Sequence, residues 1–513
     1  MSERIVVIGS GINGLVAAAD LAANGKHVLV LERGPTPGGA VRTEALTLPG
    51  FRHDVAAMNL SAFAASDFLK RHGAVMARNG LDLVRVDRPF AQALEPGDHV
   101  GISTSLDETL ASFESRADRT AWREMLSDYP DRAGLLRQLF TAPVSAPALA
   151  KLGLASWRRL GRRGTQDLAK FLFSSPRAWV EERFEDPRLR TTLAAAGLNM
   201  DFAPDISGGA ALPYLEGMGG QKDGMVIGRG GADTVTRALV AMIEDHGSEV
   251  RCNAEVSAIR HSHGRVSAVV VNGEEIEAGH VLANLAPRHL ARLTGGTGNP
   301  RYDRGLARYA HAPGTMMIHL ALDGAVPWQA GALKRFASVT IGRSMDDSAL
   351  AYQQARAGLL PERPVVVVGQ PSVFDPTRAP EGKQVLWVQV RMVPALVKGD
   401  AAKQITGTDW SEIADAYADR VLDLIEEQAP GLRGLILGQK VVSPLDLEAG
   451  NPNLVGGDQA GGSAHLNQNF AMRPVPGYAS GRTPVKGLHL VGAACWPGAG
   501  TGAASGFLTA QRV

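Results

Sequence analysis

Ile5-Val6-Val7-Ile8 runs directly into Gly9-Ser10-Gly11-Ile12-Asn13-Gly14, and this junction constrains the fold more than any other stretch of the chain. An unbroken apolar tetrad suits a strand buried on both faces. Leu15 to Ala23 reads as a helix of small residues, Gly25 as its C-terminal cap, and His27 to Glu32 as the second strand. In such a βαβ unit the first glycine permits the tight turn and the second lets backbone approach a pyrophosphate. The third lets the helix pack close to the sheet. The helix N-terminus offers unpaired N–H groups to phosphate, and Glu32 closes the second strand where a carboxylate can accept from ribose hydroxyls. The pattern points to a dinucleotide and leaves open which one.

At 513 residues the chain is long enough for two domains or one elaborated α/β unit. The 45% apolar and 20% charged residues describe an ordinary globular protein, and apolar runs such as Val365 to Val368 are strand-sized. Lysine and arginine (53) balance aspartate and glutamate (52), which argues against nucleic acid as a partner. Cys252 and Cys495 give neither a disulfide framework nor metal-ligand spacing, as expected in a reducing compartment. Met1 to Arg4 leave no room for a signal segment before the first strand, so the expected location is the cytoplasm.

Further along, residues 66 to 227 read as mostly helical. Then come a helix over Thr234 to His246 and strands at Val250 to Ile259, Val266 to Val271 and His280 to Leu285, with tight turns at Gly264-Arg265 and Asn272-Gly273. Strand-like runs recur at Met316 to Leu322, Pro364 to Val368 and Val385 to Val390. An amphipathic helix spans 409 to 428, and a last strand, Gly487 to Val491, leads to a glycine-dense turn and a helix from about Thr501. Nucleotide-type elements thus recur at both ends and in the middle. This predicts one domain assembled from 1–65, 228–295 and 456–513, and a second from 66–227 and 296–455.

Gly38-Gly39-x-x-Arg42-Thr43 follows Glu32-Arg33, a second glycine pair for which an NAD-type unit has no need. Here the sequence resembles the flavoprotein superfamily that includes amine oxidases and phytoene desaturases. It is closest to the phytoene desaturase-like branch through Gly228 to Asp233, Glu255 to Ile259, Asn451-Pro452-Asn453, Met472 to Tyr478, and Arg482-Thr483-Pro484-Val485-Lys486-Gly487 through Gly502. The resemblance covers nearly the whole chain. It implies an α/β fold with a Rossmann-like FAD-binding domain and a second, mixed α+β substrate domain. It implies FAD as cofactor, bound along Gly9, Ser10, Gly11, Asn13, Gly14, Glu32, Arg33, Gly38, Gly39, Ala40, Val41 and Arg42. The Val256 backbone would meet the adenine, and Asn284 would lie near the cofactor. At the C-terminal turn, Gly492, Ala493, Gly500, Thr501, Gly502 and Ala503 would approach the flavin, with a helix dipole favouring negative charge at its N1/O2 edge.

Cys495-Trp496 departs from the Thr-His or Ala-His of many relatives. A tryptophan there implies a flat, aromatic-sided pocket; the cysteine is a packing residue or, alternatively, a covalent anchor. Together with Trp496, His465 is the candidate catalytic residue, as the polar group of its loop suited to proton transfer near neutral pH; a histidine satisfied by its neighbours is the plainer alternative. Between Lys151 and Lys170, Arg158, Arg159, Arg162 and Arg163 are interleaved with Leu152, Leu154, Trp157, Leu160 and Leu168. That pattern fits either a helix face packed in the core or one resting on a membrane surface. The expected activity is FAD-dependent removal of hydride from a C–H bond of an apolar or partly apolar small molecule, with dioxygen or a quinone taking the electrons. A flavin amine oxidase and a redox-neutral isomerase or ketolase are the alternatives. The oligomeric state is left open.

Overall fold

The computed structural model describes residues 4–141 and 146–513, and their side chains apart from those of 137–141, 146–149 and 152. A five-stranded parallel sheet runs in the order Leu488–Val491, His280–Asn284, Ile5–Ile8, Val28–Leu31, Glu249–Arg251. Ile5–Ile8 lies at its centre with every side chain buried, as its apolar run requires. Ile5 and Val7 face a helical layer that includes Ile12–Ala23 and Asp233–Asp245. Val6 and Ile8 face an antiparallel sheet of Val256–Ser262, Arg265–Val271 and Glu274–Glu277. The α/β class with a Rossmann-like sheet is as expected.

Two local expectations change. Val250 to Ile259 is two strands, because Asn253 takes a left-handed φ of 54° and turns the chain out of the parallel sheet into the antiparallel one. The first hairpin turn centres on His263-Gly264, both at positive φ, as two-residue turns of that twist require.

The second sheet has seven strands, ordered Ile436–Val442, Gly314–Leu322, Gln384–Val393, Val365–Gly369, Ser338–Ile341, Phe90–Ala93, His99–Ile102. One face is covered by the amphipathic helix Trp410–Gln428, whose Trp410, Ile413, Tyr417, Val421 and Ile425 meet Ile318, Leu320, Val388 and Val390 in a dry core. Residues 66–227 are therefore not mostly helical throughout, since two strands of this sheet and Leu83–Val86 come from them. Helix Asp67–Arg78 buries Phe68 and Met76 in the core of the parallel sheet.

A buried ion triad joins the two bodies. Arg378 Nη1 donates to Asp54 Oδ2 and Nε to Asp375 Oδ2, both at 2.9 Å, while Nη2 donates to Gly228 O. Asp54 Oδ1 in turn accepts from Thr43 Oγ1 and from the amide of Ala232. Every lone pair so used lowers the cost of burying three charges.

The basic segment lies in helix Ala146–Phe173, broken at Gly161, where φ is 68°. Trp157 is 56% and Leu154 43% exposed, beside exposed Arg158, Arg159, Arg162 and Arg163, so this face is not packed in the core. The Leu152 side chain falls outside the described residues. Among the described residues no helix is long and apolar enough to cross a membrane.

Candidate active site

The N-terminal glycines form a cradle closed by one side chain, that of Asn284. A Cβ on Gly11 would lie 2.8 Å from Asn284 Nδ2, and one on Gly492 would lie 2.7 Å from Asn284 Oδ1. A Cβ on Gly14 would collide with Gly9 O, which is the close helix-to-strand approach expected of the third glycine. Gly38 and Gly39 pack on the first motif itself. Gly38 pairs with Gly11 as an isolated bridge and donates to Ser10 O, and a Cβ on Gly39 would lie 3.1 Å from Gly11 Cα. The second glycine pair thus makes room for the first motif's backbone.

Glu32 accepts from Ser10 N (2.9 Å), Ser10 Oγ (2.6 Å) and Gly34 N (2.8 Å). The Ala254 amide donates to Glu32 O, which brings the start of the Val256 strand beside the carboxylate. Arg42 Nε is buried, 3.5 Å from Glu44 Oε1 and without a hydrogen-bond acceptor, a donor placed to meet an anion. Ala40 O accepts from Ala57 N and Val41 O from Thr236 Oγ1, which holds this strip against the helical layer. These features fit a dinucleotide. Two residues of the expected set are engaged elsewhere: Arg33 Nη2 donates to Ala449 O, and Asn13 Oδ1 accepts from Gly506 N.

The C-terminal turn closes on this cradle. Ala493 O accepts from Arg473 Nε, Thr501 Oγ1 donates to Asn59 O, and Gly502 lies against Ala62. Gly500 has φ 122° and Ala503 φ 52°, and the terminal helix starts only at Ala504, running to Ala510. A Cβ on Gly461 would sit 2.5 Å from that of Ala493, so the 458–462 loop abuts the turn. Asp458 shapes this loop, accepting from the amides of Ala460, Gly462 and Ala312. Arg473, fully buried, also donates from Nη2 to Gly462 O, while Nη1 meets no acceptor.

Cys495 and Trp496 part company. Cys495 Sγ donates to Leu490 O in a core cluster with Tyr302, and burial pushes the thiol up to about 12. A buried, protonated thiol pinned there is a packing residue and not a covalent anchor. Trp496 is buried with its ring 5.0 Å from that of Phe470.

His465 has partners that lie far away in sequence. Its Nε2 is 2.7 Å from Asp201 O, 3.2 Å from Asp201 Oδ2 and 3.5 Å from Tyr352 Oη. Tyr352 donates to Asp201 Oδ1, and burial pushes the Asp201 carboxyl upward against the opposing pull of Ser463, His465 and Tyr352. Asp201 sits at a left-handed φ of 68° and is 264 residues from His465, so no local motif announced the pair.

The wall opposite the cradle is the second face of the seven-stranded sheet. Met58, Met317, Val367 and Trp387 form its apolar part, and Gly369 approaches Met58 so closely that a Cβ would lie 2.8 Å from the sulfur. Gln389 Nε2 donates to Gln459 Oε1, Gln459 Nε2 reaches Met317 Sδ, and Arg391 Nε donates to Gln389 Oε1. Beyond Arg391 the face opens into a small cleft of about 40 Å³ under the segments 192–199 and Ala211–Asp223. Its polar lining includes Gln92, Asn199, Glu216, Ser338, Thr340 and Arg391. Glu216 and Arg391 were not anticipated, although the alternation Val388-Gln389-Val390-Arg391 carried the signal: one apolar face and one polar face on a strand that is buried.

Among solved structures, an oxidoreductase from Methanosarcina mazei aligns over 99% of this chain and 100% of its own, with a TM-score of 0.63 at 17% identity. Cyclohexylamine oxidase from Brevibacterium oxydans aligns over 99% and 98%, with a TM-score of 0.61 at 16% identity, which establishes a shared fold. By sequence, the rat pyridine nucleotide-disulfide oxidoreductase domain-containing protein 2 is 29% identical over 99% of this chain and 92% of its own length. Phytoene dehydrogenase of Streptomyces griseus is 26% identical over 100% and 95%. Residues 12–513, from within the first glycine motif to the last helix, match the flavin-containing amine oxidoreductase family, so the chain belongs to that family and is an FAD-dependent oxidoreductase.

Proposed function

We propose that the chain removes a hydride and a proton from adjacent atoms of a small, partly apolar molecule lying against the mixed face of the seven-stranded sheet, leaving a C=C or C=N bond. Bound FAD supplies the two-electron acceptor, which dioxygen or a quinone then regenerates. The observation that carries this reading is the wall itself. Met58, Met317, Val367 and Trp387 pack as a buried apolar cluster, against which an apolar substrate would lie, and the Gln459–Gln389–Arg391 relay leads from it to a polar cleft. His465, held by Asp201 and Tyr352, is the candidate proton acceptor, and Trp496 with Phe470 braces the turn beside it.

Anaerobic mixing of the FAD-loaded protein with amines, alkenes and saturated acids tests the proposal through loss of flavin absorbance. Bleaching by one class identifies the bond that is oxidised. Bleaching by amines alone moves the reading to an amine oxidase, and no bleaching by any class overturns it. His465→Gln tests the proton acceptor: a bleaching rate lowered at least ten-fold at unchanged flavin content supports it, and an unchanged rate removes it. A quinone acceptor suits the outward Trp157, Leu154 and four arginines, which would rest on an anionic bilayer. Co-sedimentation with anionic but not neutral vesicles, abolished in Trp157→Ser, checks that part.

A further inference from the structure

Arg391 is the one arginine of the sheet wall whose guanidinium faces the cleft. Its Nε is held by Gln389 at 2.8 Å, while its two terminal nitrogens are left without a hydrogen bond or ion pair among the described residues. Two other arginines placed deep between elements are treated differently. Arg378 is neutralised by Asp54 and Asp375, and Arg420 is clasped by both oxygens of Asp400. The terminal nitrogens of Arg391 keep donors that a ligand with two acceptor oxygens would complete.

The opposite rim carries Glu216, which accepts from Asn199 Nδ2 at 2.8 Å. It is solvent-exposed and lines the cleft. The two charges sense each other without touching. Burial pushes the Glu216 carboxyl upward against the pull of Arg391, and burial brings Arg391 down to about 10 against the pull of Glu216. The cleft stays open to solvent, and its two charges do not close onto each other. The rest of the lining, Phe90, Val367 and Ala196 with the Thr340 hydroxyl, is apolar with a few polar points.

A planar fork with two free donors, fixed at its Nε end and aimed into the cleft, has the geometry that carboxylates satisfy with two parallel hydrogen bonds. An isolated ammonium finds only one counter-charge here, Glu216, and that group is already engaged by Asn199. We infer that the cleft binds the carboxylate end of an otherwise apolar substrate, with Arg391 as the receptor and Glu216 as a like charge that weakens the binding of acids and so keeps it reversible. The apolar body would then lie along Val367 towards Met317 and Met58, which places the acid group remote from the oxidised bond. The inference rests on the reading of this wall as the substrate site.

Isothermal titration of the FAD-loaded protein with octanoate, octan-1-ol and octylamine tests it. The wild type should bind octanoate at least ten-fold more tightly than octanol. Arg391→Gln should erase that preference, Arg391→Lys should retain part of it, and Glu216→Gln should tighten octanoate several-fold. Because a change at Arg391 can disturb the sheet, Ala196→Phe provides a second route: it fills the cleft from the cap side, leaves Arg391 intact, and should weaken octanoate at least ten-fold at unchanged FAD content and melting temperature. Equal octanoate affinity in wild type and Arg391→Gln, or no octanoate binding in the wild type, overturns the inference. So does a preference for octylamine that is lost in Glu216→Gln. Flavin bleaching by non-acidic substrates alongside any of these results would leave the oxidoreductase proposal standing and remove only the acid-binding cleft.

Discussion

The two faces of the seven-stranded sheet share one backbone and do opposite work. On one face Ala91, Val339, Val366, Val388 and Ile318 interlock with the helix Trp410–Gln428 in an apolar contact, closed at its edge by Gln428, which donates to Leu94 O. On the other, one residue along in each strand, lie Gln92, Thr340, Val367, Gln389 and His319. The second face is not solvent-exposed in the usual sense, since His319 is fully buried and Gln389 is 7% exposed. Alternation in these strands therefore separates core from site wall, not inside from outside. Polar residues retained on a buried face are there for a ligand or a join.

The sharpest way to break the wall is at its join to the FAD-binding body. Arg378→Met leaves Asp54 and Asp375 buried and uncompensated and should cost about 3–5 kcal/mol in urea unfolding, with loss of FAD retention. Next in size, Ile318→Ala on the dry face should cost about 2–5 kcal/mol through the cavity it opens, while octanoate affinity and flavin bleaching stay unchanged. A failure of that separation would mean that the two faces are coupled.

His319 sharpens the contrast through pH. Burial, with His53 beside it, holds the imidazole down to about 3, and both ring nitrogens lack partners. Its folded pKa lies below that of the unfolded chain. The unfolded state therefore takes up a proton that the fold refuses, and stability is lost as pH falls from about 6.5 towards 3. Urea midpoints at pH 6, 5 and 4 should fall with a slope that His319→Leu reduces by about 1.4 kcal/mol per pH unit. His53, lowered to about 4 by burial and by Arg378, keeps its own share of that slope in the variant. The smallest effect belongs to Gln389→Ala, expected to shift stability by about 1 kcal/mol or less. It should nevertheless free Arg391 Nε and loosen octanoate binding several-fold in titration.

How much of this was legible in the sequence follows the range of the forces involved. The Ile5 to Gly14 junction, the two hairpins and the amphipathic helix expected at 409–428 depend on residues within one turn or strand of each other, and the structure has them nearly where the pattern put them. Phe90–Ala93 and His99–Ile102 escaped because they are short, and Phe90–Ala93 pairs with Ser338–Ile341, some 250 residues away. The split at Asn253 turns on one left-handed residue inside an apolar stretch. His465 was singled out by residue type, but Asp201 and Tyr352, which fix its ring, belong to distant segments. Arg391 and Glu216 come from segments far apart in the chain, and only the fold brings them to one cleft.

The contact between Asn13 and Gly506 sets a schedule. The two residues are 493 apart, and the terminal helix passes so close to Asn13 O that only glycine fits at 506. At roughly 5–20 residues per second of synthesis, the first βαβ unit waits about 25–100 s before its last neighbour is made. Throughout that interval the helix Ile12–Ala23 lacks the surface that Phe507 and Ala510 later cover. Chains interrupted before residue 506 should carry an exposed apolar seam and no flavin, which makes them natural clients of chaperones and proteases.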